Sequence, residues 1–189
     1  SDLEMLAQCP FRFLAQKFYG VGQEEKPEEE ISGLGRGSLW HEILGGFYGG
    51  LLSAAHAAGR HVVILERARE KEYRARLNKL AQAALEAAPR RFFTGHPGLW
   101  RLQRERLRSG LAAWLECELR EAGRKDAFRP ACIEFTFGPH QDADAPPVRI
   151  PVRTLTGPGT ICLSGRLDRL DLRLSDPSAR TPHVTGLRL

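Results

Sequence analysis

The residues with the clearest chemical potential are two aspartates near the C-terminal end and one histidine far upstream. Leu163 to Leu174, LSGRLDRLDLRL, reads as a β-strand carrying Asp168 and Asp171. Its apolar residues take odd positions up to Leu167 and even ones from Leu170, so the pattern changes phase around 167–170. After that change, alternation puts Asp168 on the face of Leu170, Leu172 and Leu174. It puts Asp171 in a solvated ladder with Arg169 and Arg173. A carboxylate on a core face is costly unless a metal ion or a partner charge compensates it, which makes Asp168 the candidate site residue.

His41 lies in GRGSLWHEILGG, at the edge of an apolar helical face, with Gly37 and Gly45 one turn away on either side. The missing side chains leave space that a ligand site would need. The other reading is that the glycines admit a neighbouring element and His41 is an ordinary boundary residue. Glu134 alternates away from Ile133, Phe135 and Phe137, and either lines a cleft or faces water. Arg101, Arg104 and Arg108 stand at i, i+3 and i+7, a stripe suited to a phosphate backbone or simply to solvent. Glu70 and Arg74 form an ordinary i, i+4 pair. Gly33, Gly35 and Gly37 lack a following Lys-Ser/Thr and a preceding strand, so they read as a glycine turn rather than a phosphate loop.

The elements that must position these groups follow from periodicity. Residues 1–18 read as two short helices meeting at Cys9-Pro10, with Ser1 and Glu4 as a capping box. An acidic, aperiodic loop is expected at 20–32. Long amphipathic helices are expected at 36–58, 65–88 and 99–122. From residue 127 the period becomes two: a strand at 131–137, a turn at 141–147, a strand at 148–155 and a turn at Gly157-Pro158-Gly159. The Asp168 strand, a polar turn at 175–181 and the start of a strand at 183–189 complete the pattern. Helices followed by an antiparallel meander make an α+β layout.

The 189 residues suit one domain with an adequate core, and the net charge of +5 is compatible with a polyanionic partner. No stretch is long and apolar enough to span a bilayer. Cys9, Cys117, Cys132 and Cys162 show no CxxC pairing, which predicts a reduced, cytoplasmic protein. The abrupt ends predict an excised piece of a larger protein.

Four stretches carry a family resemblance: DLEMLAQCPFRFLAQ (2–16), GSLWH (37–41), IEFTF (133–137) and GRLDRLD (165–171). In this order and at these separations they resemble the RecB-like branch of the PD-(D/E)XK nuclease superfamily, the pattern of one subunit type of bacterial helicase–nuclease complexes and of RecB-family exonucleases. The resemblance implies one partial nuclease domain over 1–189, with a helical part (1–125) and the start of a restriction-endonuclease-like β-sheet core (126–189). It makes His41 a metal ligand, Asp168 a catalytic acid and metal ligand, and Glu134 the upstream strand glutamate. It implies Mg²⁺ or Mn²⁺ as cofactor, DNA as partner, and a helicase domain or subunit in the same complex. The ion would activate water for attack on a phosphodiester.

The chain departs from the family pattern in one respect. An Asp/Glu-x-Lys triplet is expected on the strand after GRLDRLD, and residues 183–189 do not contain it. Asp176 has no Lys two residues later, and Asp142 and Asp144 precede the wrong element. The parent is therefore expected to be a DNA exonuclease or endonuclease of repair or end processing, and the chain alone to cleave little or nothing. The alternatives are a non-catalytic nuclease-like module that binds DNA or docks a partner, and an unrelated α+β protein with a solvated basic face. Some family members bind a [4Fe–4S] cluster through a cysteine in the CPF context and three later ones. That makes Cys9 a candidate cluster ligand of the full-length parent, beside the plainer reading of a buried helix-end cysteine.

Overall fold

In the computed structural model, residues 2–21, 30–154, 157–175 and 183–188 are described. Most of the acidic loop expected at 20–32, most of the turn at 175–181, Asp176, and Ser1 of the capping box lie outside them. Helices α1 (Asp2–Gln8) and α2 (Pro10–Lys17) break at Cys9, as Pro10 requires. Proline sits in the first turn of α2, where its missing N–H is not needed. Cys9 caps that helix, its Sγ accepting from the Arg12 amide at 3.4 Å.

Three long helices build the core: α3 (Gly33–Ala57), α4 (Glu70–Ala87) and α5 (Pro97–Ala122). Ser32 caps α3 by accepting from the Gly35 amide at 3.0 Å. Gly33, Gly35 and Gly37 are thus the first turns of a helix, not a glycine turn as expected. At Gly35 a Cβ would stand 2.9 Å from Ile31, so close packing explains that glycine. Leu39, Ile43, Phe47 and Leu52 of α3 meet Tyr73, Leu77, Ala81 and Leu85 of α4, with Leu107, Leu111, Leu115 and Leu119 of α5 in the same core. Phe47 packs edge-on against Tyr48, Tyr73 and Trp114, with ring centroids 5.3, 6.2 and 5.6 Å away.

The α+β order holds, but the strands do not form one simple meander. Strands β1 (Arg129–Phe137), β4 (Gly165–Leu174) and β5 (Val184–Arg188) make one antiparallel sheet in the order β1-β4-β5. Strands β2 (Val148–Thr154) and β3 (Gly157–Leu163) form a separate hairpin. Gly157, Pro158 and Gly159 belong to β3 rather than to a turn, and Ser164 divides the expected Leu163–Leu174 strand in two. Helix α3 packs on β1. The Val63 amide, donating to the Pro130 carbonyl at 2.8 Å, ties the segment before α4 to the same strand. No described helix is long and apolar enough to cross a membrane.

Candidate functional site

Three elements bring His41, Glu134 and Asp168 together. His41 projects from α3, and its Nε2 lies 3.4 Å from Asp168 Oδ2 on β4. Ile133 pairs with Arg169 and Phe135 with Leu167, so Glu134 and Asp168 lie between the same two rungs of the β1–β4 ladder. All three line a cavity of about 210 Å³ whose apolar wall is Trp40, Leu44, Tyr48 and Ile133. The glycines flanking His41 differ in role. A Cβ at Gly37 would meet nothing within 4 Å, whereas one at Gly45 would face Glu134 Oε1 at 4.0 Å. Gly45 thus keeps the space between the helix and the glutamate clear.

Glu134 has φ of 53°, the left-handed region that L-residues other than Asn and Asp rarely adopt. Adjacent residues Ile133 and Glu134 both line the cavity, which regular alternation would forbid. The unusual backbone is what turns the glutamate into the cleft, and strain of this kind concentrates at functional sites. The two sequence readings of Glu134 both hold in part, since the side chain borders the cavity and is still half exposed to water.

The two aspartates of β4 exchange the environments expected of them. The Asp168 side chain is 65 % exposed and that of Asp171 is 4 % exposed. Arg169 Nε and Nη2 donate to the two Asp171 oxygens at 2.6 and 2.8 Å, and Arg188 Nη2 adds a bond of 2.6 Å. Arg169 also reaches Glu118 of α5 at 3.0 Å and the Tyr48 hydroxyl at 3.1 Å. The helices pack on the strand face that carries Arg169 and Asp171, because mutual pairing makes those charges buriable. The half-buried Leu170, Leu172 and Leu174 take the other face.

Burial and then the charge of Glu118 push the Tyr48 phenol far up, so its O–H stays in place to donate to Glu118. Burial alone would lower the Arg169 pKa. The Asp171 hydrogen bonds, with Tyr48 and Glu118, override it and push the guanidinium upward. Sequence periodicity put Asp171 and Arg169 on one face but took that face as solvated, and it gave no sign of Tyr48, Glu118 or Arg188. The only signal was the clustering of charges in RLDRLDLR.

The remaining candidates lie elsewhere. Arg101 and Arg108 are exposed, while Arg104 is half-buried with an Nε lacking a partner among the described residues. None of the three lines the His41 cavity; Arg91, Arg166 and Arg169 border it instead. Cys9 is half-buried, and no cluster of three or more His, Cys, Asp or Glu residues suited to a metal ion occurs among the described residues. His41 and Asp168 nevertheless converge as one nitrogen and one oxygen donor, and Glu134 borders the same space through a carboxylate paired with Arg166 at 3.4 Å. That donor set is too sparse for a closed protein cage. It fits a hard divalent ion that keeps several waters, the usual state of Mg²⁺ in phosphate-handling sites.

Comparison with known proteins gives this geometry a family. The chain is 28 % identical to a subunit of the ATP-dependent helicase/deoxyribonuclease of Moorella thermoacetica over 91 % of its own length and 14 % of that protein. It is 30 % identical to the corresponding protein of Pelotomaculum thermopropionicum over 93 % and 14 %, and 25 % identical to that of Desulfitobacterium hafniense over 98 % and 15 %. The chain thus spans about one seventh of the length of these relatives. Residues 1–181 match the model of the PD-(D/E)XK nuclease superfamily, and the chain belongs to that superfamily.

Proposed function

We propose that this chain supplies one side of the active site of a metal-dependent deoxyribonuclease that works in DNA repair or end processing, in a protein or complex that also carries a helicase. The observation that carries this reading is the convergence of His41 Nε2 and Asp168 Oδ2 at 3.4 Å in a cavity that Glu134 also lines. The names of the relatives support the helicase and deoxyribonuclease parts.

His41 and Asp168 would hold Mg²⁺ or Mn²⁺, with Glu134 completing the acidic wall. When bound, the ion supplies a nucleophilic water and neutralises charge developing on the phosphate. The protein's own contribution is positional. Helix α3 fixes the imidazole, β4 fixes the Asp168 carboxylate, and the left-handed turn at Glu134 aims a second carboxylate at the same space. Trp40, Leu44, Tyr48 and Ile133 make the inner wall apolar, which strengthens electrostatic interactions at the mouth. No Asp/Glu-x-Lys triplet follows Asp168 within residues 1–189, so the chain by itself should bind a cation while cleaving weakly.

Titration calorimetry with Mn²⁺ tests this reading. Uptake of Mn²⁺ by the chain, lost in Asp168→Asn and His41→Ala, supports it. Heats identical in parent and variants would favour the alternative, a non-catalytic module that binds DNA or docks a partner. Iron content and visible absorbance of the full-length parent, compared with its Cys9→Ser form, test the separate possibility of a [4Fe–4S] cluster.

A further inference from the structure

We propose that Arg91 and Arg166 form a two-pronged phosphate clamp at the mouth of the His41–Asp168 cavity, closing on a nucleic-acid phosphodiester only after a divalent cation has bound. The proposal rests on the cation-site reading above and adds residues and an order of binding to it.

The two guanidiniums reach one place from distant parts of the chain. Arg91 follows the short 3₁₀ turn after α4, and Arg166 stands on β4 two residues before Asp168. Both line the open mouth of the site together with Ser38, His41, Glu42, Glu134 and Asp168. Each is tethered to a carboxylate of that mouth: Arg91 Nη1 to Glu42, and Arg166 Nη2 to Glu134 Oε1 at 3.4 Å. In both, a single guanidinium nitrogen makes the tether. A guanidinium carries five N–H donors in a planar fork, so donors remain for a phosphate oxygen. Stacking on the Phe92 ring, 5.1 Å from the centroid, braces Arg91 without using those donors.

Charge sets the order. The mouth holds three carboxylates, Glu42, Glu134 and Asp168, against two guanidiniums, Arg91 and Arg166, so these acidic and guanidinium groups together carry one net negative charge. A phosphodiester is repelled by that balance. A bound divalent cation turns it into one net positive charge, which a single phosphodiester neutralises. The cation also draws on Glu134, which loosens its hold on Arg166 and frees that side chain to turn toward substrate. The basic stripe of α5 does not line this mouth, so the clamp rather than Arg101, Arg104 and Arg108 contacts the phosphate at the reacting centre.

Fluorescence anisotropy of a labelled single-stranded deoxyoligonucleotide, with and without Ca²⁺ as a non-hydrolytic cation, tests the clamp, with Mn²⁺ calorimetry run in parallel. The parent chain should bind the oligonucleotide about 10-fold or more tightly with Ca²⁺ present. Arg91→Ala and Arg166→Ala should each weaken cation-dependent binding by about 5- to 10-fold and reduce the salt slope by about one phosphate contact. Arg166→Lys should recover part of the affinity, because the charge survives but the fork does not. Mn²⁺ uptake should persist in Arg91→Ala and be no weaker in Arg166→Ala, where Glu134 loses a competitor. The proposal is overturned if both alanine variants keep the parent's affinity and salt slope. It is also overturned if Mn²⁺ is taken up but leaves oligonucleotide affinity unchanged, or if only Arg101→Ala, Arg104→Ala or Arg108→Ala weakens binding. Absence of Mn²⁺ uptake by the parent would instead overturn the cation-site reading, and the cation dependence of the clamp with it.

Discussion

Asp168 and Asp171 stand three residues apart on β4 and solve opposite problems. Asp171 is enclosed by Arg169 and Arg188; Arg188 ties β5 to β4, and Arg169 ties β4 to Glu118 and Tyr48 of the helices. Every charge in that group has an opposite partner at hydrogen-bonding distance, so burial is tolerable. Asp168 meets His41 at 3.4 Å at the mouth of a cavity and is left mostly to solvent. One cluster is complete as it stands and holds sheet to helices. The other has an excess of carboxylates over nearby arginines, and it is the site proposed above to receive a cation. A strand that is locked at Asp171 is also a rigid mount for Asp168, and the structural cluster reaches the cavity itself through Arg169 and Tyr48, which line its wall.

This contrast can be broken from either side. The largest effect should come from Asp171→Ala, which leaves Arg169 and Arg188 without their shared carboxylate. Removing one partner of a buried pair costs about 3–5 kcal/mol, and the half-exposed Arg188 argues for the lower end. Chemical denaturation of the variant measures the cost, and unchanged stability would sink the structural role. Next is Asp168→Asn, which should weaken Mn²⁺ binding by about 100-fold, roughly 2.7 kcal/mol, because a ligand outweighs the supporting contacts whose loss costs 10- to 100-fold. The same variant should unfold at the parent's temperature, since the side chain is mostly in water. A clear loss of stability would show that Asp168 belongs to the structural cluster after all.

A third effect separates the clusters by pH. The Tyr48 phenol has a folded-state pKa above its ordinary value of 10.0, so the folded protein holds that proton more tightly than the unfolded chain does. The stabilisation is complete below pH 10 and is lost as pH rises further, by up to about 1.4 kcal/mol per pH unit. Stability measured from pH 9 to 11 should fall with that sign, and Tyr48→Phe should flatten the fall. The smallest effect is expected at Glu134→Gly. Glycine accepts the φ of 53° without a steric cost, so the variant should gain about 1 kcal/mol in stability while Mn²⁺ uptake weakens. A loss of stability there would mean that the Arg166–Glu134 pair outweighs the backbone strain.

The helical half was legible because amphipathic period and capping are local. Helices expected at 36–58 and 99–122 occur at 33–57 and 97–122, and Pro10 divides the N-terminal pair as anticipated. The helix expected from 65 begins at 70, preceded by a 3₁₀ turn over Arg67–Arg69. The sheet was less legible because pairing is not local. Nothing in the alternation of β2 and β3 says that they pair with each other and leave β1 beside β4.

The amino-acid sequence by itself determined that helices precede strands, that His41, Glu134 and Asp168 sit in stretches of one nuclease superfamily, and that Asp168 and Asp171 differ in role. It could not assign which aspartate faces the core. Period-two alternation separates two faces of a strand but carries no information about which face the helices will cover. The tertiary structure decided that by supplying Glu118, Tyr48 and Arg188 from three other elements, which neutralise the Arg169–Asp171 face and allow it to be buried. It also decided that Glu134 turns into the cleft, because a left-handed residue in a strand overrides the alternation from which its direction would be read. The arginines at the site mouth came from the same source. Arg91 and Arg166 are 75 positions apart in the chain and share a cavity only once α4 and β1 have packed on α3 and β4 has paired with β1.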